Sequence, residues 1–396
     1  MKRLLLLSLC ILTCASVYSE DSMTQILDMI AEDSPRLKAA AQAYMTERAD
    51  NARIRALDAP EMEFNMLWGN DGIGNRNDVK VTQSVDMATI SGKKGSLAAS
   101  LDRQSSYHYQ SEYIEVLYDA RILLADIVYY NRLIETLDSY QSAMKALYDK
   151  TERSLKAGEA TSIDMGKVRL QLSSARTATA VAVTERAALI ERLRTVSGHP
   201  DVDFTGTVYE CDELPVDFDS WLETAVAGSP MMRYLDSRVQ SSEFQLDMDK
   251  MAWAPKLDVG YMAELARTDK YRGVTLGVSI PLWSNSLNVR RSRSAVSQAV
   301  AENDWQKQEF ITQATNAWNS AHSMAEIAAE SQRDLELSDT RALLDRAIEA
   351  GELSVLDYLI ESGMYYDAVK ENLKVQQQYH HALSELYRFA PAEDIE

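Results

Sequence analysis

Two short segments carry the residues of this sequence best placed to do chemistry: Gly158-Glu159-Ala160-Thr161-Ser162-Ile163-Asp164 and Gly351-Glu352-Leu353-Ser354-Val355-Leu356-Asp357. Each has a glycine, an acid, then a hydroxyl residue three positions ahead of an aspartate. Glycine just past a helix end relieves the left-handed conformation of a C-cap. Thr161 with Asp164, and Ser354 with Asp357, fit a capping box with Asp in place of the usual Glu or Gln. One reading is therefore purely structural, a pair of tight turns between helices. The other is electrostatic and needs assembly. If several chains converge on an axis, Asp164 and Asp357 repeat around it. Such a ring of carboxylates attracts cations and can raise its own pKa values by like-charge repulsion. Gly158, Glu159, Gly351 and Glu352 would then be the exposed tip that a partner's hairpin meets.

The rest of the chain offers little reactive chemistry. It has no phosphate-binding glycine loop, no nucleophile elbow and no paired-cysteine zinc spacing. The histidines are His108, His199, His322, His380 and His381. No two have the i, i+4 spacing of a helical metal pair, and His380 and His381 point to different faces. The reading is of a protein that is not an enzyme and takes no cofactor. Trp305, Trp318 and Tyr387 read as packing residues.

The elements that would position the two turns recur at a nearly constant offset. Ser34-Pro35 returns as Ser229-Pro230, Pro60 as Pro255, and the run starting at Val79 as the run starting at Val274. A repeat holding both strands and very long helices is a duplication, not a solenoid of short units. Met62, Phe64, Met66 and Trp68 alternate with Glu61, Glu63 and Asn65. Val79, Val81, Val85 and Met87 alternate with polar residues, as do Leu257, Val259, Tyr261 and Ala263, and then Val274, Leu276, Val278 and Ile280. Period two is the strand signature. Each segment runs about ten residues, the span of a tilted strand in an outer membrane. Four such strands cannot close a barrel, and open edges are not tolerated in lipid. Either several chains share one barrel, or these are soluble β-ribbons packed on helices.

The helices are expected to be long. Ser91 to Glu152 contains no proline and would extend about 90 Å if continuous. Tyr130, Leu133, Leu137, Tyr140, Met144 and Leu147 follow the three-four spacing of a coiled-coil seam. A return helix from Ser162 to Val196 shows a shorter seam at Leu189, Leu193 and Val196, and Gly198-His199-Pro200 stops it. The second half is read as Leu287 to Ile348 followed by Ser354 to Phe389. Helices from Ser22 to Leu57 and from Phe218 to Trp253 open the two halves.

Residues 1–19 read as a secretory signal: Lys2 and Arg3, a leucine-rich core, and Val17 and Ser19 ahead of a cleavage site. Thr13 precedes Cys14 where a lipoprotein motif would carry Gly, Ala or Ser, which argues against lipidation. The chain has 41 Lys and Arg against 60 Asp and Glu, a formal net charge of −19. Losing Lys2 and Arg3 makes it more acidic still, which excludes a nucleic-acid partner. Only Cys211 would survive processing, so no intrachain disulfide forms. No stretch is apolar for long enough to span a bilayer as a helix.

The duplicated order and the Gly-Glu-x-Thr/Ser-x-x-Asp tips resemble the TolC family of outer-membrane efflux channels, over essentially the mature chain. The junction from Gln83 to Lys94, with Gly92 and Lys93, is similar to that of the CzcC/CusC-like heavy-metal branch, as is Val278-Ser279-Ile280-Pro281-Leu282-Trp283. The resemblance implies a mainly α chain with a small β part. Duplicated long coiled-coil helical hairpins would join four transmembrane strands per chain in a homotrimer with a twelve-stranded β-barrel and an α-helical tunnel. It implies an outer-membrane location reaching into the periplasm, contact with outer-membrane lipid, a periplasmic adaptor (membrane fusion) protein, and an inner-membrane pump of the resistance-nodulation-division (RND) type. Asp164 and Asp357 match the family's tip acids. Glu159, Ala160, Glu352 and Leu353 stand where many members carry a latch arginine, and the C-terminal Glu396 replaces the terminal aromatic of many barrels. The expected organisation is a leader at 1–19 and a first repeat at 20–200, with strands at 60–87 and a hairpin at 91–196. An inter-repeat equatorial segment follows at 201–217. The second repeat is at 218–390, with strands at 255–282 and a hairpin at 287–389, and a tail occupies 391–396. The function expected is a passive exit duct for small molecules or metal cations. The alternatives are a type I protein secretion channel or a periplasmic coiled-coil scaffold without a channel.

Overall fold

The structure is a computed structural model and describes residues 22–70, 74–210, 213–266, 269–280 and 285–391. The leader with Cys14, Cys211, the Pro281-Leu282-Trp283 junction and residues 392–396 of the C-terminal tail lie outside the described residues. The elements run α1 (Met23–Asp33), α2 (Pro35–Ile54), β1 (Glu61–Leu67), β2 (Arg76–Val85), α3 (Met87–Ile90), α4 (Lys93–Ala157) and α5 (Ser162–Ser197). They continue α6 (Phe218–Gly228), α7 (Pro230–Met251), β3 (Lys256–Ala266), β4 (Lys270–Ser279), α8 (Asn285–Leu337), α9 (Arg341–Ala350) and α10 (Val355–Tyr387). No described helix is long and apolar enough to cross a membrane.

Three helices read as continuous are broken, each by identifiable chemistry. The opening helix of each half stops before a Ser-Pro pair. Pro35 and Pro230 have no N–H to continue a helix and instead sit at the first turn of α2 and α7. In the second half Ser229 caps the new helix, its side chain accepting from the Met232 N–H. The third break separates α8 from α9. There Asp339 Oδ1 accepts the Arg341 N–H at 3.2 Å, a local side-chain bond of the kind that competes with helix. Met87, read as the end of a strand, instead opens α3, because Asp86 accepts the Thr89 N–H and caps that helix.

The chain divides into two compact units. One comprises the described residues of Met1–Ile30, Leu123–Asp212 and Arg333–Gln377. Its core is the predicted seam of α4: Leu133, Leu137, Tyr140, Met144 and Leu147 are all buried. Leu133 and Leu137 pack with Ala182 and Leu373, and Tyr140, Met144 and Leu147 with Val168, Leu172, Ile348, Tyr358 and Tyr366. On α5 the buried line runs through Ile190, Leu193 and Ser197, one position away from the Leu189 and Val196 of the sequence reading. The other unit comprises Ala31–Ile122, Glu213–Gln332 and the described residues of Gln378–Glu396. It holds the sheet and a second core in which Met232, Leu235, Phe310, Leu383, Leu386 and Phe389 meet Trp318 and Tyr387. Trp305, read as a packing residue, is exposed on α8.

Candidate functional site

The turn after α4 is built by its glycine. Gly158 has φ +81°, a conformation costly for any residue with a Cβ. The Gly158 N–H donates to Leu155 O at 3.1 Å and the Glu159 N–H to Ser154 O at 2.8 Å. Those two bonds make a Schellman motif, which satisfies the last carbonyls of the helix. After α9 the same pair recurs. Gly351 has φ +78°, its N–H donates to Ile348 O at 3.3 Å, and the Glu352 N–H donates to Ala347 O at 2.9 Å. Glu159 and Glu352 are exposed.

Thr161 and Ser354 cap the helices that follow, each bonded to the aspartate three residues on. Thr161 Oγ1 accepts the Asp164 N–H at 3.1 Å, and Asp164 Oδ2 accepts the Thr161 N–H at 3.1 Å and its hydroxyl at 2.7 Å. Ser354 Oγ accepts the Asp357 N–H at 3.1 Å and donates its hydroxyl to Asp357 Oδ2 at 2.6 Å. The Thr161 bonds, side chain first and backbone second, hold the Asp164 carboxyl below its ordinary value of 3.8. Within one chain these bonds oppose the upward shift that a ring of like charges would impose. A carboxyl depressed in the folded state stabilises fully above the ordinary range. We therefore expect the Thr161–Asp164 cap to be intact at neutral pH and to be lost as pH falls below about 4, as amide exchange at Asp164 would report.

Behind the turns, both hairpins share one core. The Tyr140 and Tyr366 rings meet at a tilt of 45° with centroids 4.4 Å apart, and the Tyr358 hydroxyl donates to Asp345 Oδ1 at 2.7 Å. Lys150 of α4 was not singled out in the sequence. Its Nζ donates to Ile348 O and to Glu349 O. α9 has no basic residue in its last turn, so the cation that favours a helix C-terminus comes from the other hairpin. No local pattern announces a partner so far away in sequence.

The sheet is antiparallel throughout, in the order β1-β2-β3-β4, so β1 and β4 each present an open edge. Its register turns four separate alternations into two continuous faces. Met62 pairs with Val81, Val81 with Tyr261, and Tyr261 with Val274. Val259 pairs with Leu276, and Leu257 with both Val85 and Val278. Directly paired residues lie on the same face, so one face is an apolar band across all four strands. It is not covered: Met62 is 77% exposed, Val274 74% and Leu276 81%. The opposite face carries Glu61, Glu63, Lys80, Thr82, Asp258 and Thr275 around an open groove. There Asp258 accepts the Ser84 hydroxyl at 2.6 Å and the Ser279 hydroxyl at 2.9 Å, and Arg76 bridges Asp78 at 2.9 Å and Glu264 at 2.6 Å.

No family model matches the sequence, and no curated protein matches it. Solved structures do match. The chain superposes on the channel protein CusC with a TM-score of 0.78 at 13% identity, covering 95% of this chain and 96% of that one. The CusC structures describe changes that accompany folding and transmembrane channel formation. The open state of the Neisseria gonorrhoeae MtrE outer-membrane channel gives 0.77 at 12% identity over 93% and 88%. The Campylobacter jejuni CmeC outer-membrane channel gives 0.76 at 12% over 94% and 87%. The protein has the fold of TolC-family outer-membrane channels.

Proposed function

We propose that the protein is an outer-membrane channel, a homotrimer in which three four-stranded sheets close one twelve-stranded barrel. The observation that carries this reading is the sheet itself: an uncovered apolar band on one face, a polar opposite face and two open edges. Only a closed barrel satisfies every strand edge in lipid. An even number of antiparallel strands per chain lets β4 of one copy meet β1 of the next in antiparallel register. A soluble scaffold would expose the same band to water, so the reading as a coiled-coil spacer is disfavoured. The duct is passive. An inner-membrane pump, which we expect to be of the RND type, supplies the work, and a periplasmic adaptor meets Gly158, Glu159, Gly351 and Glu352. Glu61, Glu63 and Asp258 on the polar face favour cationic cargo. The test is fractionation: the protein should sediment with outer membranes and extract in detergent as a heat-sensitive trimer. A monodisperse monomer purified without detergent would overturn it.

Within this reading Asp164 and Asp357 line the closed periplasmic mouth. Replacing both with Ala should lower cation selectivity and weaken block by trivalent cations at least about tenfold in planar bilayers, since a ring of carboxylates is what concentrates cations at a mouth. Unchanged block would leave these aspartates with the capping role alone.

A further inference from the structure

All four strand ends that lead into helices lie at one end of the sheet, since β1–β2 and β3–β4 are joined at the other. Large apolar residues are exposed at that end: Leu57, Ile90, Trp253 and Leu287 are each about half exposed or more. An indole at such a level is typical of a membrane–water boundary, and exposed aliphatic side chains beside it suit the adjoining hydrocarbon. Immediately beyond Leu287, α8 carries Arg290, Arg291 and Arg293, all exposed.

The orientation of these arginines is fixed by their neighbour. Ser292 is 2% exposed, and its hydroxyl donates to Asp249 of α7. At about 100° per residue, the residues at 290, 291 and 293 fan over the half of the helix opposite Ser292. Among the described residues none of the three guanidinium groups has an ion pair or hydrogen bond. The lysines of the equivalent junction differ: Lys93 is bridged to Asp247 at 2.9 Å and Lys94 to Asp86 at 2.7 Å. Three cations near the amino end of a helix also oppose its dipole. In a chain of net charge −19, an unneutralised basic patch beside an apolar rim calls for an anionic surface.

We propose that Arg290, Arg291 and Arg293 bind the phosphates of anionic phospholipid headgroups in the periplasmic leaflet, fixing the depth at which the barrel sits. This rests on the membrane reading of the sheet. Guanidinium forks match phosphate geometry, and basic residues at a membrane surface gain from anionic lipid.

The test uses the detergent-purified trimer. Native mass spectrometry would count phosphatidylglycerol and phosphatidylcholine bound per trimer, with inorganic phosphate as a competitor. The wild type should prefer phosphatidylglycerol. R290Q/R291Q/R293Q should lose that preference by about tenfold or more while remaining trimeric, and R48Q/R176Q/R192Q, with the same charge change at exposed sites elsewhere, should keep it. Retained preference in the first variant would overturn the proposal. So would a first variant that dissociates with unchanged lipid preference, which would assign the arginines to the contact between copies. Displacement by inorganic phosphate at concentrations equal to the lipid's would overturn the lipid as the ligand. A wild-type chain that is a water-soluble monomer would sink the membrane reading itself, a distinct result.

Discussion

A chain with Leu276→Arg is expected to yield no trimer in the outer membrane, whereas its neighbour Thr275→Arg assembles. Leu276 lies in the middle of the apolar band, paired with Val259, and is 81% exposed. On a lipid-facing strand position an arginine costs about 2–4 kcal/mol near the bilayer midplane. The proposed homotrimer would carry it three times, a penalty of roughly 6–12 kcal/mol on assembly, comparable to the whole stability of a typical folded domain. Thr275 faces the other way. Its cross-strand partner Gly260 carries no side chain, and Asp258, two residues along the adjacent strand on the same polar face, offers a countercharge. Unboiled gels and membrane fractionation distinguish the two variants. If Leu276→Arg assembles and Thr275→Arg does not, the faces have been assigned the wrong way round.

The sequence made those faces visible because period two needs only local alternation. It did not make the register visible. That Val81 sits between Met62 and Tyr261 depends on pairing across the chain's two halves. The same division runs through the helices. The α4 seam was legible because a run without proline keeps one phase over many turns. The α5 seam was misphased by one residue because Leu189 and Ile190 are both apolar, and only the partner helix selects between them. The Ser-Pro breaks stand in the sequence as a repeated motif, yet residues on both sides have good helix-forming character, so the helical pattern runs on across each pair. The break at Asp339 depends on one side chain capturing a backbone N–H, a choice composition does not force. At the tips, glycine and the hydroxyl–aspartate spacing foretold the caps because every partner lies within a few residues. Lys150 was invisible for the opposite reason: its acceptors are the carbonyls of Ile348 and Glu349.

Asn131 gives that distinction its largest energetic consequence. It is a polar residue next to the apolar seam residue Tyr130, yet it is 8% exposed. Its Nδ2 donates to Gly206 O at 2.8 Å and Phe204 O at 3.2 Å, and its Oδ1 accepts Arg186 Nε at 2.5 Å. Arg186 in turn reaches Asp203 Oδ1 and Phe204 O, both at 3.0 Å. One amide thus ties α4, α5 and the segment after α5 together, with Phe204 almost fully buried beside it. Asn131→Leu keeps the volume and removes every bond, leaving the Gly206 carbonyl and the Arg186 Nε without partners. Each orphaned buried group costs about 1–3 kcal/mol; because the Arg186 side chain is 22% exposed, its share lies at the low end, and the segment should open more easily by about 2–4 kcal/mol. Where cleavage follows the open population, that corresponds to roughly 30- to 700-fold faster proteolysis between Pro200 and Pro215. Arg186→Gln should have a smaller effect, since Asn131 keeps both carbonyls. The double variant should fall short of the sum of the singles, because Asn131 and Arg186 share one network. Strict additivity would mean that the two side chains act on the segment independently.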